Sequence, residues 1–198
     1  MIERSSLIEL PMPIHTPRLL MRLKQAGDGA LTSVAVAETW EKLHRWMQWA
    51  EDQTLLTAER IEERNRQVMA SFPLGESVEL IGIETASDMP VVWCGFHDVD
   101  WDVRQCDTGF WVRKSAQGRG FATEAANALL RYAFGALGMR RVGLTHSIGN
   151  EESRRIAEKL GFAPQGIHAG ANRLPGGRFV DRYCYARFDA DGLPDLDV

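Results

Sequence analysis

The sequence predicts an α/β (α+β) fold in which a mixed, mostly antiparallel sheet carries helices on both faces. Three strand-like runs, at 77–84, 91–99 and 108–113, follow one another across short polar turns, which indicates an antiparallel meander. A long apolar helix pattern then separates the third run from a strand at 141–147, and a helical crossover of this kind makes two strands parallel. The full order of elements, βααβββαβαββ, is typical of a layered domain.

One strand and two helices precede the meander. The strand is predicted at 16–23, and the first helix runs from residue 28 toward residue 49. The inward-facing candidates of this helix are Val34, Leu43 and Met47. Thr57 is placed to cap the second helix. Its apolar side chains follow helical spacing at Ile61, Val68, Met69 and Phe72, and the residues expected to end it are Pro73 and Gly75.

After the meander, the crossover helix has one apolar stripe and is expected to end at Gly138. The stripe consists of Ala126, Leu129, Leu130, Ala133, Phe134 and Leu137. Asn150 and Gly161 are the expected caps of a further short helix. Two strands, at 163–171 and 179–188, complete the fold, and we expect the acidic segment that follows them to be a frayed tail.

Length and composition indicate one globular domain of ordinary size. The chain has 198 residues, of which 44% are hydrophobic and 25% are charged. A net charge of -4 argues against general nucleic-acid binding, which needs a basic face. No apolar run is as long as a membrane-spanning helix, which needs about 20 residues. The N-terminus lacks the apolar core of a signal peptide. We therefore expect a cytoplasmic protein.

The three cysteines, Cys94, Cys106 and Cys184, are scattered along the chain. Because no CxxC pair is present, neither a zinc site nor a disulfide framework is indicated. We expect small thiols, buried or half-buried, in a reducing compartment, and no bound metal.

The strongest candidate for a binding site is the stretch at 117–122 (QGRGFA), which opens the crossover helix. Glycine lets successive backbone amides turn toward one point and form an anion-binding nest. The unpaired N–H groups and the dipole of a helix N-terminus also favour phosphate. Arg113, Lys114 and Arg119 add positive charge beside the loop. Together these features predict a pyrophosphate site.

Other phosphate-binding motifs fit this stretch poorly. A dinucleotide-binding fingerprint would need glycine in place of Thr123 and an acid in place of Arg140. A P-loop would need a Gly-Lys-Ser/Thr triplet, which the sequence lacks. An ordinary glycine-rich turn before a helix stays open as long as this stretch is considered alone.

A second pattern occupies 150–162 (NEESRRIAEKLGF), and by itself it indicates only a capped surface helix. In combination, QGRGFATEA and NEESRRIAEKLGF resemble the GNAT acyltransferase superfamily, and within it the ribosomal-protein N-terminal acetyltransferase (Rim-type) branch. The segments TPRLLMR, DTGFWV and DRYCYAR resemble the same branch. The resemblance spans residues 14–188 and implies a single N-acetyltransferase domain with a central splay in its sheet. Residues 1–13 would be an N-terminal extension and 189–198 an acidic C-terminal tail.

The resemblance implies acetyl-CoA as cosubstrate and assigns the residues that bind it. The strand before the glycine loop is implied to pair with the pantetheine arm through the backbone of Phe110, Trp111, Val112 and Arg113. The pyrophosphate is implied to bind the amides of Gln117, Gly118, Arg119, Gly120, Phe121 and Ala122. Asn150 is implied to approach the pantetheine, and Ser153 to face the region of the sulfur.

Acetyl transfer to an amine calls for a base, because an alkylamine is mostly protonated at neutral pH, and for a proton on the departing thiolate. Many GNAT enzymes use a tyrosine as that proton donor, but the matching position here is Ala157. Ser153 is the nearest hydroxyl of the same motif and is the candidate donor. For the base we favour Asp107, with His97 and His146 as alternatives. Positioning of two substrates without an essential base stays open.

The acceptor side of the reaction is indicated by residues near the first helix. Its tryptophans are Trp40, Trp46 and Trp49, and the polar residues near them are Glu41, His44 and Glu51. Such a set suits a cationic amine or a peptide N-terminus, although core or dimer packing explains the tryptophans as well. Further residues that could border the acceptor are Asp181, Tyr183 and Tyr185, for which strand packing is an equal explanation.

The expected activity is acetyl-CoA-dependent N-acetylation of a primary amine. A protein or peptide N-terminal α-amine is the first candidate acceptor, as the Rim-type branch implies. Polyamines, aminoglycosides and amino-acid conjugates are the alternatives within the same chemistry. A non-catalytic acyl-CoA sensor is the alternative from another class, and a homodimer is an expectation at the level of the family.

Overall fold

The computed structural model describes residues 11–71 and 77–196, which form a single mixed sheet between two layers of helices. The strands are β1 (Ile14–His15), β2 (Leu19–Leu23), β3 (Val78–Glu84), β4 (Met89–Asp100), β5 (Gln105–Val112), β6 (Arg141–Ser147), β7 (Ala163–Arg173) and β8 (Phe179–Arg187). Their spatial order is β1-β2-β3-β4-β5-β6-β8-β7, and every neighbouring pair is antiparallel except β5 and β6. The predicted fold class is confirmed, and the one parallel pair is the predicted crossover.

The helices are α1 (Asp28–Trp46), α2 (Ala58–Ser71), α3 (Phe121–Gly135) and α4 (Glu151–Lys159). Adjacent residues of β3 show how they are layered, since successive side chains of a strand point to opposite faces. Leu80 packs in the main core with Leu129 of α3, whereas Ile81 packs with Ala35 of α1. Thus α1 and α2 cover one face of the sheet, and α3 and α4 cover the other.

The predicted first strand at 16–23 is divided by a turn. Thr16 donates its N–H to the carbonyl of Leu19 at 2.9 Å, and its hydroxyl accepts the Leu19 N–H at 2.9 Å. Pro17 between them has no N–H to give to a sheet. The strand β2 therefore begins only at Leu19, and the short β1 precedes the turn.

Two side chains predicted to face inward from the helices are exposed instead. Val34 of α1 is 57% exposed and Met69 of α2 is 39% exposed. The inward stripe of α1 is built largely from small and β-hydroxyl residues, namely Gly29, Thr32, Ala35, Val36, Thr39 and Leu43. Such a stripe contains few bulky apolar side chains, so helical spacing of bulky apolar residues does not reveal it. Phe72, Pro73 and Gly75, predicted to close α2, lie outside the described residues.

The C-terminal segment is docked where it is described, so the expectation of a frayed tail is wrong there. Leu193 is buried in the main core beside α3. Asn127 of α3 donates to the carbonyl of Pro194 at 2.7 Å, and Arg131 donates to the same carbonyl at 3.1 Å. One buried apolar side chain and two hydrogen bonds to the Pro194 carbonyl therefore anchor a segment whose composition indicates a tail.

The cysteines agree with the sequence prediction. Cys94 and Cys106 are buried, Cys184 is half-buried, and all three are free. Burial raises the pKa of the Cys94 thiol, and likewise that of Cys106, to about 12. Buried neutral thiols of this kind are packing groups rather than nucleophiles.

Candidate active site

A splay opens between β5 and β6 in the middle of the sheet. Their parallel pairing runs from Gln105 opposite Arg141 to Thr108 opposite Leu144 and then stops. On its other edge, β5 stays paired with β4 as far as Val112. The last residues of β5 therefore have a sheet neighbour on one side only.

Two residues of β5 direct their backbone N–H and C=O groups toward its free edge. Arg113 donates its N–H to the carbonyl of Val91 on the β4 side at 2.9 Å. Backbone groups of an antiparallel strand alternate between its two edges, so Trp111 also faces β4, whereas Phe110 and Val112 face the splay. Gln117 donates its side-chain amide to the Val112 carbonyl at 2.9 Å. The polar edge that β5 offers to the splay is thus centred on Phe110.

The glycine loop adopts the backbone that its sequence predicts. Gly118 and Gly120 have φ values of +74° and +87°, a region in which a side chain is strained. Gly120 is the N-cap residue of α3, and no side chain of the described residues caps this helix. The first N–H groups of α3 are therefore left to bind an anion.

A buried carboxylate fixes the first turn of α3 to the start of the domain. Glu124 accepts a hydrogen bond from the Thr16 hydroxyl at 2.6 Å and from the Arg18 backbone N–H at 3.0 Å. Arg18 also donates from Nε to Glu124 at 2.7 Å and from Nη1 to the carbonyl of Arg119 at 2.8 Å. The segment TPR is thereby tied to the glycine loop, a contact that no local pattern indicates.

Helix α1 braces the turn that leads into the loop. Glu38 accepts the Ser115 N–H at 2.6 Å and the Arg113 guanidinium at 2.5 Å, and Thr39 accepts the Lys114 N–H at 3.0 Å. Burial alone would raise the pKa of the Glu38 carboxyl, but the bonds from Ser115 and Arg113 hold that pKa below its ordinary value. Glu38 therefore stays charged and keeps the turn in place at neutral pH.

Two of the three basic residues predicted beside the loop are paired with carboxylates. The Arg113 side chain is paired with Glu38, and the Arg119 guanidinium is paired with Glu84 and lies over the Phe121 ring. Lys42 of α1 also reaches the loop, where it donates to the Gln117 side chain at 3.0 Å and pairs with Glu152 of α4. Sequence reasoning missed Lys42, because only the approach of α1 to the loop brings it there.

These elements enclose a cavity of 370 Å³, which we call the loop cavity. The basic residues that line it are Lys42 and Arg155, the latter from α4. The predicted cosubstrate residues that line it are Phe110, Trp111, Val112, Gln117, Gly118, Gly120, Phe121, Ala122, Asn150 and Ser153. Arg113 and Arg119, from the same predicted set, do not line it.

A second cavity, of 410 Å³, extends from the splay beneath α1 and α2, and we call it the helix cavity. The two cavities share the lining residues Trp46, Met47, Phe110, Trp111, Asn150 and Ser153. Asn150 caps α4 by accepting the Ser153 N–H at 3.3 Å, which fixes both residues at this junction. Two chambers thus meet where the free edge of β5 faces the N-terminus of α4.

Asp107, the predicted base, is not brought to this junction. Its carboxylate lies 3.4 Å from the Arg141 guanidinium, and the residue lines neither cavity. It precedes Thr108, the last residue at which β5 is still paired with β6, so it sits below the point at which the splay opens. Ala157, which stands where related enzymes carry tyrosine, is fully buried in the main core.

His146 is the histidine whose geometry suits proton transfer. Its Nδ1 lies 3.0 Å from the carbonyl of Ser147, which can only accept, so Nδ1 carries the proton. Its Nε2 is buried without a partner among the described residues, and the residue lines the helix cavity. Tyr183 and Tyr185 stack near the ring at 5.5 and 5.4 Å between centroids. His97 lines the same cavity, but it is 51% exposed and bonded to Asp98.

The predicted acceptor residues divide between packing and the helix cavity. Trp46 and Trp49 line that cavity, whereas Trp40 packs in the small core between α1 and α2. Glu51 is paired with Arg173 rather than turned toward the cavity. The charged lining residues, within the described chain, are Lys24, Arg64, Arg182 and the single acid Glu79. Basic side chains therefore outnumber acids in the lining of this cavity.

Within residues 11–71 and 77–196, no group of three or more histidine, cysteine, aspartate or glutamate side chains is arranged to hold a metal ion. No helix in those ranges has both the length and the apolar composition needed to cross a bilayer.

Comparison with known proteins gives a consistent family. The family described as acetyltransferase (GNAT) domain matches residues 18–163. YdaF of Bacillus subtilis (strain 168), whose name is that of a ribosomal N-acetyltransferase, is 28% identical over 154 residues, which cover 75% of this chain and 79% of YdaF.

Two solved structures of similar fold contain coenzyme A. RimL, a ribosomal L7/L12 alpha-N-protein acetyltransferase in complex with CoA, superposes with a TM-score of 0.81 at 18% identity, covering 90% of this chain and 97% of RimL. Mycobacterium smegmatis RimJ, in complex with a CoA disulfide, has a TM-score of 0.79 at 21% identity, covering 90% of this chain and 85% of RimJ.

Proposed function

The chain belongs to the acetyltransferase (GNAT) domain family, and on that premise we propose that it transfers the acetyl group of acetyl-CoA to the α-amine of a protein or peptide N-terminus. The observation that carries this proposal is the meeting of two cavities at the free edge of β5. One cavity has a helix N-terminus and two basic side chains for a pyrophosphate, and the other is a separate chamber for an acceptor. Cytoplasmic location and a homodimer stay predictions.

The loop cavity fits the chemistry of coenzyme A. The amides from Gln117 to Ala122 and the side chains of Lys42 and Arg155 would hold the pyrophosphate. The Phe110 backbone would pair with the amide groups of the pantetheine arm, as one strand pairs with another. Such an arm would lead its thioester to the junction of the two cavities, where Asn150 and Ser153 lie.

For the base, the geometry favours His146 over Asp107. Asp107 is paired with Arg141 outside both cavities, whereas His146 presents a buried lone pair on Nε2 to the helix cavity. The Ser147 carbonyl keeps the proton on Nδ1, which leaves Nε2 able to accept a proton. The two tyrosine rings hold the imidazole ring in place. Ser153 stays our proposal for the proton donor.

The proposed roles balance the reaction. The amine nitrogen forms a bond to the thioester carbonyl carbon while His146 Nε2 takes a proton from that nitrogen. The Phe110 N–H, on the free edge, is suited to polarise the carbonyl oxygen. The carbon–sulfur bond then breaks, and Ser153 gives its hydroxyl proton to the thiolate. Return of one proton from His146 to Ser153 through water restores both groups and leaves an amide and free coenzyme A.

Calorimetry and a thiol-release assay test this function on the full chain. We expect acetyl-CoA to bind at one site, and free thiol to appear with short peptides that have an unblocked N-terminus. Spermidine and an aminoglycoside, which are polycations, should react far more slowly because basic side chains outnumber the acid in the helix cavity. Absence of acetyl-CoA binding would refute the proposal, and binding without turnover on any amine would favour a sensor.

Replacing Ser153 by alanine should lower kcat about tenfold, because the thiolate would lose its proton donor but is itself a tolerable leaving group. The KM for acetyl-CoA should stay within about twofold, since the backbone N–H of Ser153, and not its hydroxyl, donates to the Asn150 cap of α4. Steady-state kinetics at saturating peptide measure both constants. Ser153→Thr, which keeps a hydroxyl, is the control and should retain most of the activity. An unchanged kcat in Ser153→Ala would leave the residue a structural one.

A further inference from the structure

Asn65 is a buried side chain that the fold does not use. It lies on α2, is 0% exposed, and lines the helix cavity. Neither its Oδ1 nor its Nδ2 has a hydrogen-bond partner among the described residues. Buried polar groups are nearly always hydrogen bonded. A buried amide whose oxygen and nitrogen both lack a partner therefore indicates that a bound molecule supplies one.

Another buried asparagine and two polar side chains of the same cavity do have hydrogen-bond partners. Asn127, the buried asparagine of α3, donates to Pro194 and accepts from Arg131 at 3.0 Å. Within the helix cavity, Asn172 donates to the Ser147 hydroxyl at 2.5 Å, and Thr32 accepts from the Trp93 indole at 3.0 Å. Asn65 differs from these three side chains and resembles His146 and Arg182, which line the same cavity and also carry a buried polar atom without a partner among the described residues.

The two unpartnered atoms of Asn65 match the backbone of an extended peptide. A carboxamide offers one donor and one acceptor side by side, and an extended residue offers the complementary carbonyl and N–H on one edge of its chain. An ammonium group donates only, so it would leave Nδ2 of Asn65 without an acceptor. Arg182 adds a second unpartnered donor, its buried Nε, to the same cavity, and peptide carbonyls are suitable acceptors for it.

The charged side chains that line the helix cavity also favour a peptide acceptor. Arg64 and Arg182 have no ion-pair partner in the described ranges, and Lys24 pairs with the single lining acid, Glu79. A polyamine or an aminoglycoside would bring several positive charges into this chamber, whereas a peptide N-terminus brings one amine followed by neutral peptide groups. The chamber therefore selects against the small-amine alternatives.

We propose that Asn65 recognises the acceptor by a two-point hydrogen bond to the N–H and the carbonyl of one of its residues in extended conformation, so that the enzyme is selective for peptide and protein N-termini over small amines. This inference rests on the proposed acetyltransferase function. It assigns a specificity-determining residue to α2, a helix that contributes nothing to the loop cavity. In the free protein, water in the cavity would occupy the two atoms of Asn65.

Ester substitution of the acceptor tests the inference on the full chain. The probes are a tripeptide amide and two analogues, in which the first or the second peptide bond is replaced by an ester that lacks the N–H. For the wild type, kcat/KM should fall about tenfold on one of the two esters, the loss of one hydrogen bond. In Asn65→Leu, kcat/KM on the peptide should fall by at least as much, and the difference between peptide and ester should disappear.

Asn172→Leu is the matched control, since Asn172 lines the same cavity but already has a partner. Its ratio of kcat/KM between peptide and ester should equal that of the wild type, whatever its absolute rate. Asn65→Asp is the second variant, because it keeps the shape of the side chain but cannot donate to a carbonyl when ionised. It should lose the same peptide activity as Asn65→Leu.

The outcomes separate this inference from the function on which it rests. An equal ester effect in the wild type and Asn65→Leu, or faster turnover of spermidine than of every peptide, would overturn the role of Asn65 and leave the acetyltransferase intact. Failure of the wild type to bind acetyl-CoA would overturn the function itself. Thermal unfolding checks that the variant is folded. Asn65→Leu removes a buried amide that has no partner in the protein, so its melting temperature should be no lower than that of the wild type.

Discussion

Replacement of Gly120 by glutamate should raise the KM for acetyl-CoA about 100-fold, equivalent to about 2.8 kcal/mol of binding free energy. Gly120 has a φ of +87° and caps α3 directly beside the loop cavity. A side chain there would fill the space in which the helix N–H groups meet a phosphate, and its negative charge would repel the ligand. Calorimetric titration with acetyl-CoA and steady-state kinetics measure the effect.

The glutamate would also disturb the anchoring of α3. A Cβ at position 120 would lie 3.3 Å from Nη2 of Arg18, the side chain that holds Glu124. The new carboxylate would therefore compete with Glu124 for Arg18 at the first turn of the helix. Gly120→Ala separates the two effects, because it introduces the Cβ without the charge and should weaken acetyl-CoA binding less.

Gly138→Glu is the control for backbone strain. Gly138 follows the other end of the same helix, has a φ of +62°, and has open space where a Cβ would be built. A substitution there costs about 1–2 kcal/mol of stability through the left-handed backbone, as at Gly120, but places no charge near the loop. Its KM for acetyl-CoA should match the wild type. Equal weakening in both variants would mean that the loop does not hold the phosphates.

The parts of the site that the sequence predicts are those built from neighbouring residues. Gly118 and Gly120 show positive φ, Asn150 caps α4, and Gly161 ends it, because each of these roles is decided within a few residues. The parallel crossover through α3 follows equally from the order of strands and helices. Short-range patterning therefore predicts the loop and the cap of α4, whereas the resemblance to the GNAT superfamily is what implied a site role for Asn150 and Ser153.

The parts that escaped prediction come from contacts between distant segments. Lys42 reaches the loop from α1, and Glu124 is held by the turn before β2, more than a hundred residues earlier. Asn65 lies among polar residues of α2 and has no local feature that marks it as buried. The choice of Asp107 over His146 has the same origin, since only the divergence of β5 from β6 decides which side chain reaches the cavity.

Replacement of His146, the proposed base, is the second change for which we expect a large loss of activity. His146→Gln should lower kcat about 100-fold with peptide at saturation, since glutamine fills similar space but cannot accept a proton. The KM for acetyl-CoA should change little, because His146 does not line the loop cavity.

Two further variants decide whether His146 acts in proton transfer or only in packing. His97→Gln is the matched control, because His97 lines the same cavity but is half exposed and bonded to Asp98. It should retain kcat within about threefold. In His146→Ala, added imidazole should restore part of the rate, which a purely structural loss would not allow. If His146→Gln keeps wild-type turnover, positioning of the two substrates carries the reaction, and no single base is essential.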